Sequence, residues 1–195
     1  MTNKEIAAFF DSVADCWDNG MVRCQQKIDI ILDIAGISED KTVLDIACGT
    51  GVLIPDYISR NVKKCVAVDI SPKMITISKS KFASNGNFQF VCADASDFAF
   101  GESFDSAVVY NAFPHFTNPE KLFENVAKHL KCGGRLTIAH GMSREDILKH
   151  HSGSAKNVSV PLPEAKDLAE MMKDWFAVDT VVSTNEIYVV SGLVI

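Results

Sequence analysis

An α/β fold built on a mainly parallel sheet is predicted by three features of the sequence. From Thr42 onward, short β-branched runs alternate with amphipathic segments. The first of these runs passes straight into a glycine-rich turn, and the last two are separated by little more than Thr184-Asn185. Alternation implies parallel strands joined by crossover helices, whereas so short a final connection permits only a hairpin.

Taken in order, Lys4 to Ala35 places Ile6, Phe9, Phe10, Val13 and Trp17, then Ile28, Ile31 and Leu32, at helical intervals interrupted by Asn19-Gly20. This predicts two helices joined by a turn. Strands are expected at Val43 to Ile46, Lys64 to Val68, Phe88 to Cys92, Ser106 to Tyr110 and Arg135 to Ala139. Between them, helices are expected at Gly51 to Arg60, Pro72 to Ser84 and Pro119 to Lys131. Ser71-Pro72 supplies a cap and a first-turn proline, and Gly133-Gly134 reads as the stop after the third helix. A short helix at Ser143 to His151, a loop at Ser152 to Pro163 and a last helix at Pro163 to Trp175 follow. Phe176 to Ser183 and Glu186 to Ile195 form the closing hairpin.

With 195 residues, the chain is long enough to bury a core as one domain. Its 47% apolar and 23% charged residues are ordinary globular usage, and no window reaches the roughly 18 to 20 apolar residues that span a bilayer. A membrane protein is not expected. The net charge of -6 gives no basic footprint for a nucleic-acid backbone, so nucleic acid is not expected as a partner. Cysteines 16, 24, 48, 65, 92 and 132 include no Cys-x-x-Cys pair and read as buried thiols in a reducing compartment. Met1 to Asp11 lacks the apolar core of a signal peptide, and a cytoplasmic location is expected.

The strongest local signal is Val43-Leu44-Asp45-Ile46-Ala47-Cys48-Gly49-Thr50-Gly51, a strand entering a turn whose glycines let backbone approach a ligand. Asp45 could accept hydrogen bonds from a cationic amino group at this turn. A dinucleotide fingerprint would need a third glycine at 54, where Ile stands, and no Gly-Lys-Ser/Thr follows. The second strand ends in Asp69, 18 residues after Gly51, placed to accept ribose hydroxyls or to cap a helix with Ser71. The third ends at Asp94-Ala95 and the fourth at Asn111-Ala112-Phe113-Pro114-His115. In an open α/β sheet these carboxyl ends border one crevice.

With Leu-Asp-Ile-Ala-Cys-Gly-Thr-Gly followed by Val-Asp-Ile-Ser, the sequence resembles the class I S-adenosylmethionine-dependent methyltransferases, especially the small-molecule branch similar to quinone-biosynthesis methyltransferases. The resemblance runs from about Phe10 onward. It implies a Rossmann-like seven-stranded mainly parallel sheet with helices on both faces and an antiparallel last strand. It also implies a single methyltransferase domain over 1–195, with 1–35 a helical N-terminal lid and 36–195 the α/β core. Asp45, Gly49 and Gly51, with Ala47, would hold the methionine part of the cofactor. Asp69 with Ile70 would hold the ribose, and Asp94 with Ala95 the adenine edge. Asn111 and Phe113 would lie near the sulfonium. Phe10 and Trp17 belong to the lid segment, although one apolar helical face explains them as packing too. The chain departs from the quinone branch after the fourth strand, where an Asn-x-x-Arg-type segment is replaced by Asn111 to Phe116. The acceptor therefore stays a generic small molecule.

Histidines supply the remaining chemistry. His115, His140, His150 and His151 follow the fourth strand, end the fifth or lie just beyond it. One of them, His115 or His140, could deprotonate an acidic acceptor. Alternatively, two or three of His115, His140, His150 and His151 could bind a divalent metal that lowers the acceptor's pKa, with His150 and His151 also placed to face the substrate. As ordinary residues, His150 and His151 would be solvated at a helix end, His140 would end a strand, and His129 would lie on the surface. The expected activity is methyl transfer from S-adenosylmethionine to a small-molecule acceptor. A non-catalytic S-adenosylmethionine-binding module and a nicotinamide-dependent oxidoreductase are the alternatives. The expected partners are that acceptor and, in a homodimer, a second copy of the chain.

Overall fold

The computed structural model describes residues 1–151 and 155–195, excepting the side chains of residues 150 and 151. Seven strands form one sheet in the order β3-β2-β1-β4-β5-β7-β6. They are β1 (Thr42–Ile46), β2 (Lys64–Asp69), β3 (Phe88–Cys92), β4 (Phe104–Tyr110), β5 (Leu130–His140), β6 (Phe176–Ser183) and β7 (Tyr188–Val194). The first five pair in parallel, while β7 enters antiparallel between β5 and β6. The helices are α1 (Asn3–Val13), α2 (Gln25–Ile34), α3 (Ile54–Ser59), α4 (Pro72–Phe82), α5 (Pro119–His129), α6 (Arg144–His151) and α7 (Ala165–Met172).

The central strands are apolar on both faces because helices cover both. Leu44, Ile46, Val66, Val68, Ala107 and Val109 pack with Leu122 and Phe123 of α5, Ile147 of α6 and Leu168 of α7. Val43, Cys65, Ala67 and Val108, offset by one residue, pack with Ile28 and Leu32 of α2, Ile54 and Tyr57 of α3 and Ile75 of α4. The period of two along each strand produces this division. At the sheet's edge, β6 instead alternates covered positions, buried at Phe176 and half-buried thereafter, with exposed ones, as an edge with one covered face should.

Helix ends follow local chemistry. Thr2 and Glu5 form a reciprocal capping box at α1. Ser71 caps α4 through the Met74 N–H, with Pro72 in the first turn, and Asn118 does the same for α5 through Lys121.

Three expectations need correction. Gly133-Gly134 is not a helix stop: α5 ends at His129, and the glycines lie inside β5. Leu130 pairs with Phe104 but Arg135 with Ser106, so the intervening residues bulge, with Gly133 at φ 73°. A Cβ on Gly134 would come within 2.8 Å of the Lys131 carbonyl. Only Cys48 and Cys65 are buried; Cys16, Cys24, Cys92 and Cys132 are exposed, since they fall on the N-terminal segment, a strand end and the bulge. His129 is half-buried rather than superficial, because Nδ1–H donates to the Asn125 carbonyl and Nε2 accepts the Phe100 N–H. The first residues of the loop expected at 152–163 lie outside the described residues.

Candidate active site

A cavity of about 830 Å³ opens at the carboxyl ends of β1, β2, β4 and β5. Its size and mixed lining suit a small ligand. Two strands leave the sheet there through left-handed residues, Ala47 at φ 56° after β1 and Asn111 at φ 55° after β4. Non-glycine residues at such angles are costly and concentrate at functional sites. Asn111 repays part of the strain locally. Its N–H donates to the Ala139 carbonyl, and its Oδ1 accepts the Gly141 N–H at 3.0 Å, tying the ends of β4 and β5 together.

Asp69 anchors the β2 side. Oδ2 accepts the Gly49 N–H at 2.9 Å and Oδ1 accepts the Ser71 N–H at 2.8 Å, which fixes the carboxylate beside the glycine turn. Burial pushes the carboxyl up, those N–H groups pull it down, and the charge of Asp11 pushes it up again. A carboxylate has further lone pairs, so hydroxyl donors in the cavity would find acceptors on Asp69. Asp94, after β3, accepts the Ser96 N–H on Oδ1.

The two motif glycines act differently. Gly49 lines the cavity at φ 56°, and a Cβ there would point toward the Trp17 indole, 3.8 Å away. Gly51 does not line it. A Cβ at 51 would meet Phe82 and Ser78 at 2.7 Å, so this glycine, at φ 91°, is required by the packing of α4 against the turn. Asp45 is likewise set back from the cavity. Burial pushes its carboxyl up to about 8, against the pull of the Tyr57 phenol and with the push of Asp69, and its Oδ2 has no partner of ordinary hydrogen-bond geometry among the described residues. A cation brought to the turn would favour the ionised form. Phe113 also lies in the core, stacked on Phe123 at 6.1 Å, rather than on the cavity wall.

The N-terminal segment covers the cavity and is fastened to three loops. Asn3 donates to Asp94 Oδ2 at 2.5 Å. Asp11 accepts from the Ser71 hydroxyl at 2.5 Å and from the Lys73 N–H at 3.0 Å. Asp18 accepts from the Thr50 hydroxyl at 2.6 Å and pairs with Lys81. Phe10 and Trp17 meet edge to face, and both line the cavity. Sequence reasoning missed Asn3, Asp11 and Asp18 because each bonds a residue at least 32 positions away and nothing local marks them.

On the other side, His115 and His140 line the same cavity, with Tyr110 and Met142. His115 Nδ1 lies 2.8 Å from the Val158 carbonyl, which only accepts, so Nδ1 carries a proton and the neutral ring has its lone pair on Nε2. Burial lowers its pKa, opposed by that hydrogen bond, and the Phe10 ring packs edge-on at 4.8 Å. His140 is buried with its ring against Tyr188. The side chains of His150 and His151 lie outside the described residues. Among the described residues, no group of three or more His, Cys, Asp or Glu is arranged to hold a metal, and no helix is long and apolar enough to cross a membrane.

The sheet order, the glycine turn after β1 and the acid after β2 define a Rossmann-like methyltransferase fold. Residues 43–134 match the family described as a methyltransferase domain. A demethylmenaquinone methyltransferase of Paenarthrobacter aurescens is 30% identical over 141 residues, which cover 69% of this chain and 54% of that protein. The chain thus spans about half the length of the curated relatives it matches. Among solved structures, the methyltransferase in complex with the Trm112 methyltransferase activator of Haloferax volcanii superposes with a TM-score of 0.80 at 19% identity, over 95% of this chain and 97% of that one. The N-methyltransferase NodS of Bradyrhizobium japonicum, solved with S-adenosyl-L-homocysteine, gives 0.73 at 11% identity, over 98% and 97% of the two chains. By its similarity to these relatives the chain belongs to the class I methyltransferase family, and it resembles the quinone-biosynthesis enzymes.

Proposed function

We propose that this protein transfers a methyl group from S-adenosylmethionine to a small, weakly acidic acceptor. The observation that carries the reading is the shared cavity: Asp69 and the Gly49 turn on one side, His115 and His140 on the other. The cradle suits the cofactor, since Asp69 has acceptor capacity for a ribose diol, Asp94 for an adenine edge, and Gly49, left-handed at φ 56°, presents bare backbone to the cavity. When bound, S-adenosylmethionine supplies an electrophilic methyl group on a sulfonium.

The chain's own residues then have three tasks. Ala47, Gly49 and Ile70 shape the cofactor wall, while Phe10 and Trp17 exclude water from it. Asn111, held by Gly141, fixes the spacing between the β4 and β5 ends. His115, held in one tautomer by Val158, takes the acceptor's proton on Nε2, and its lowered pKa keeps it neutral for that role near pH 7. The same tautomer would also suit a metal ligand, and the base role is preferred because it needs no further ligands, while among the described residues no group of three or more His, Cys, Asp or Glu is arranged to hold a metal.

The relatives' names make quinols one class of acceptor to try, beside thiols, phenols and amines. The test is S-adenosylhomocysteine release across such a panel. Cofactor binding without turnover of any acceptor would favour a binding module, and no cofactor binding would defeat the reading.

A further inference from the structure

The N-terminal segment is attached at the loops after β1, β2 and β3 through Asp18, Asp11 and Asn3, and each attachment adjoins or includes a residue of the cofactor end of the cavity. The middle attachment differs from the others in its continuity. Asp11 Oδ1 accepts from the Ser71 hydroxyl, the same hydroxyl caps α4 by accepting the Met74 N–H at 3.1 Å, and the Ser71 N–H donates to Asp69 Oδ1 at 2.8 Å. Ser71 is fully buried. A continuous chain of hydrogen bonds therefore runs from the covering helix, through the start of α4, to the carboxylate beside the glycine turn.

We propose that Asp11 is a positioning residue that couples closure of α1 to occupancy of the cofactor site, acting on Asp69 through Ser71. The inference rests on the cofactor reading above. Closure brings the Asp11 carboxylate toward Asp69, and the like charges oppose it. Donors arriving on Asp69 spread its charge and relieve that opposition, so a bound cofactor favours closure. By reciprocity, closure then favours the bound cofactor. The neighbouring Asp15 provides the contrast. It meets the same helix through an exposed pair with the flexible end of Lys73 at 3.5 Å, and no hydrogen bond from it to Ser71 or Asp69 is present among the described residues.

The test uses Trp17 as reporter in a Trp175→Phe background, which leaves it the only tryptophan of the chain. S-adenosylhomocysteine is the probe, with affinity measured by calorimetry and closure by Trp17 emission. Asp11→Ala should weaken binding about tenfold and abolish the emission change. Asp11→Asn keeps an acceptor for the Ser71 hydroxyl and the Lys73 N–H but removes the like charge, so it should close without ligand, bind within about threefold of the parent and show a smaller emission change. Asp15→Ala should match the parent in both measurements. Parental affinity and emission response in Asp11→Ala would overturn the coupling, as would an Asp11→Asn protein no better than Asp11→Ala. A parent that binds no S-adenosylhomocysteine would instead overturn the cofactor reading.

Discussion

The two ends of the cavity are built by different means. The end formed by the loops after β1, β2 and β3 is held by carboxylates: Asp69 grips two backbone N–H groups, and Asp11, Asp18 and Asp94 receive donors across the interface with the N-terminal segment. At the end after β4 and β5, the ring of His115 is oriented by the Val158 carbonyl, His140, Tyr110 and Met142 share the wall, and Met142 is 38% exposed. A lattice of charged hydrogen bonds fixes one ligand's position closely, whereas a histidine among apolar groups admits shape variation and moves a proton. On the proposed function, the contrast means that the chain devotes fixed geometry to the cofactor and adjustable chemistry to the acceptor.

The largest effect that would sharpen this contrast belongs to His115. With an acceptor found in the panel, His115→Ala should lower turnover by about 10²- to 10⁴-fold, with S-adenosylhomocysteine affinity within about twofold by calorimetry. An equal loss of affinity would dissolve the division between the two ends. Asp69→Ala should do the reverse, weakening S-adenosylhomocysteine about 10²-fold by removing two charge-assisted hydrogen bonds. Unchanged affinity in folded Asp69→Ala protein would remove the cofactor from that end.

Gly51→Ala separates ligand contact from packing. The new Cβ collides with Phe82 and Ser78 in a left-handed conformation, so thermal denaturation should show a loss of about 2 to 3 kcal/mol while the folded protein keeps its affinity. A loss of affinity alone, at full stability, would show that Gly51 serves the ligand. Asp105 lies at the opposite end of the strands and supplies the smallest effect. Partial burial raises its carboxyl, but Lys131 and Thr42 outweigh this and hold it at about 2. Its stabilisation is therefore fully present above the unfolded value of about 4 and is lost as pH falls through the folded value. Because the half-buried carboxylate pairs with an exposed Lys131, solvent screens the interaction and Asp105→Asn should cost about 1 kcal/mol at neutral pH. In urea titrations the gap from the parent should close between about pH 4 and pH 2. A gap that persists at pH 2 would assign the loss to packing.

The sheet was legible because its strands and crossover helices carry distinct periods, and Ser71-Pro72 and the Thr184-Asn185 turn mark real boundaries. The glycines at 133 and 134 misled because a helix stop and a bulge share the same residue type, and only pairing with Phe104 and Ser106 separates them. At the site, the positions of Asp69, Asp94, His115 and His140 followed from strand ends, since strand direction alone determines which end of the sheet they face. Whether a residue reaches the cavity was not legible for Asp45, Gly51 and Phe113, which depends on the neighbours behind the turn: Tyr57, Phe82 and Phe123.

The place of β7 between β5 and β6 has a consequence for synthesis. A nascent chain that has emerged only through residue 183 holds β5 with one unpaired edge and β6 with no strand to join. Neither edge is short, and Leu136, Ile138 and Ala139 on β5 are apolar. Until residues 188–194 are available to pair, the β5 edge is open to other extended chains, so the growing chain carries an exposed pairing site between the synthesis of β5 and that of β7.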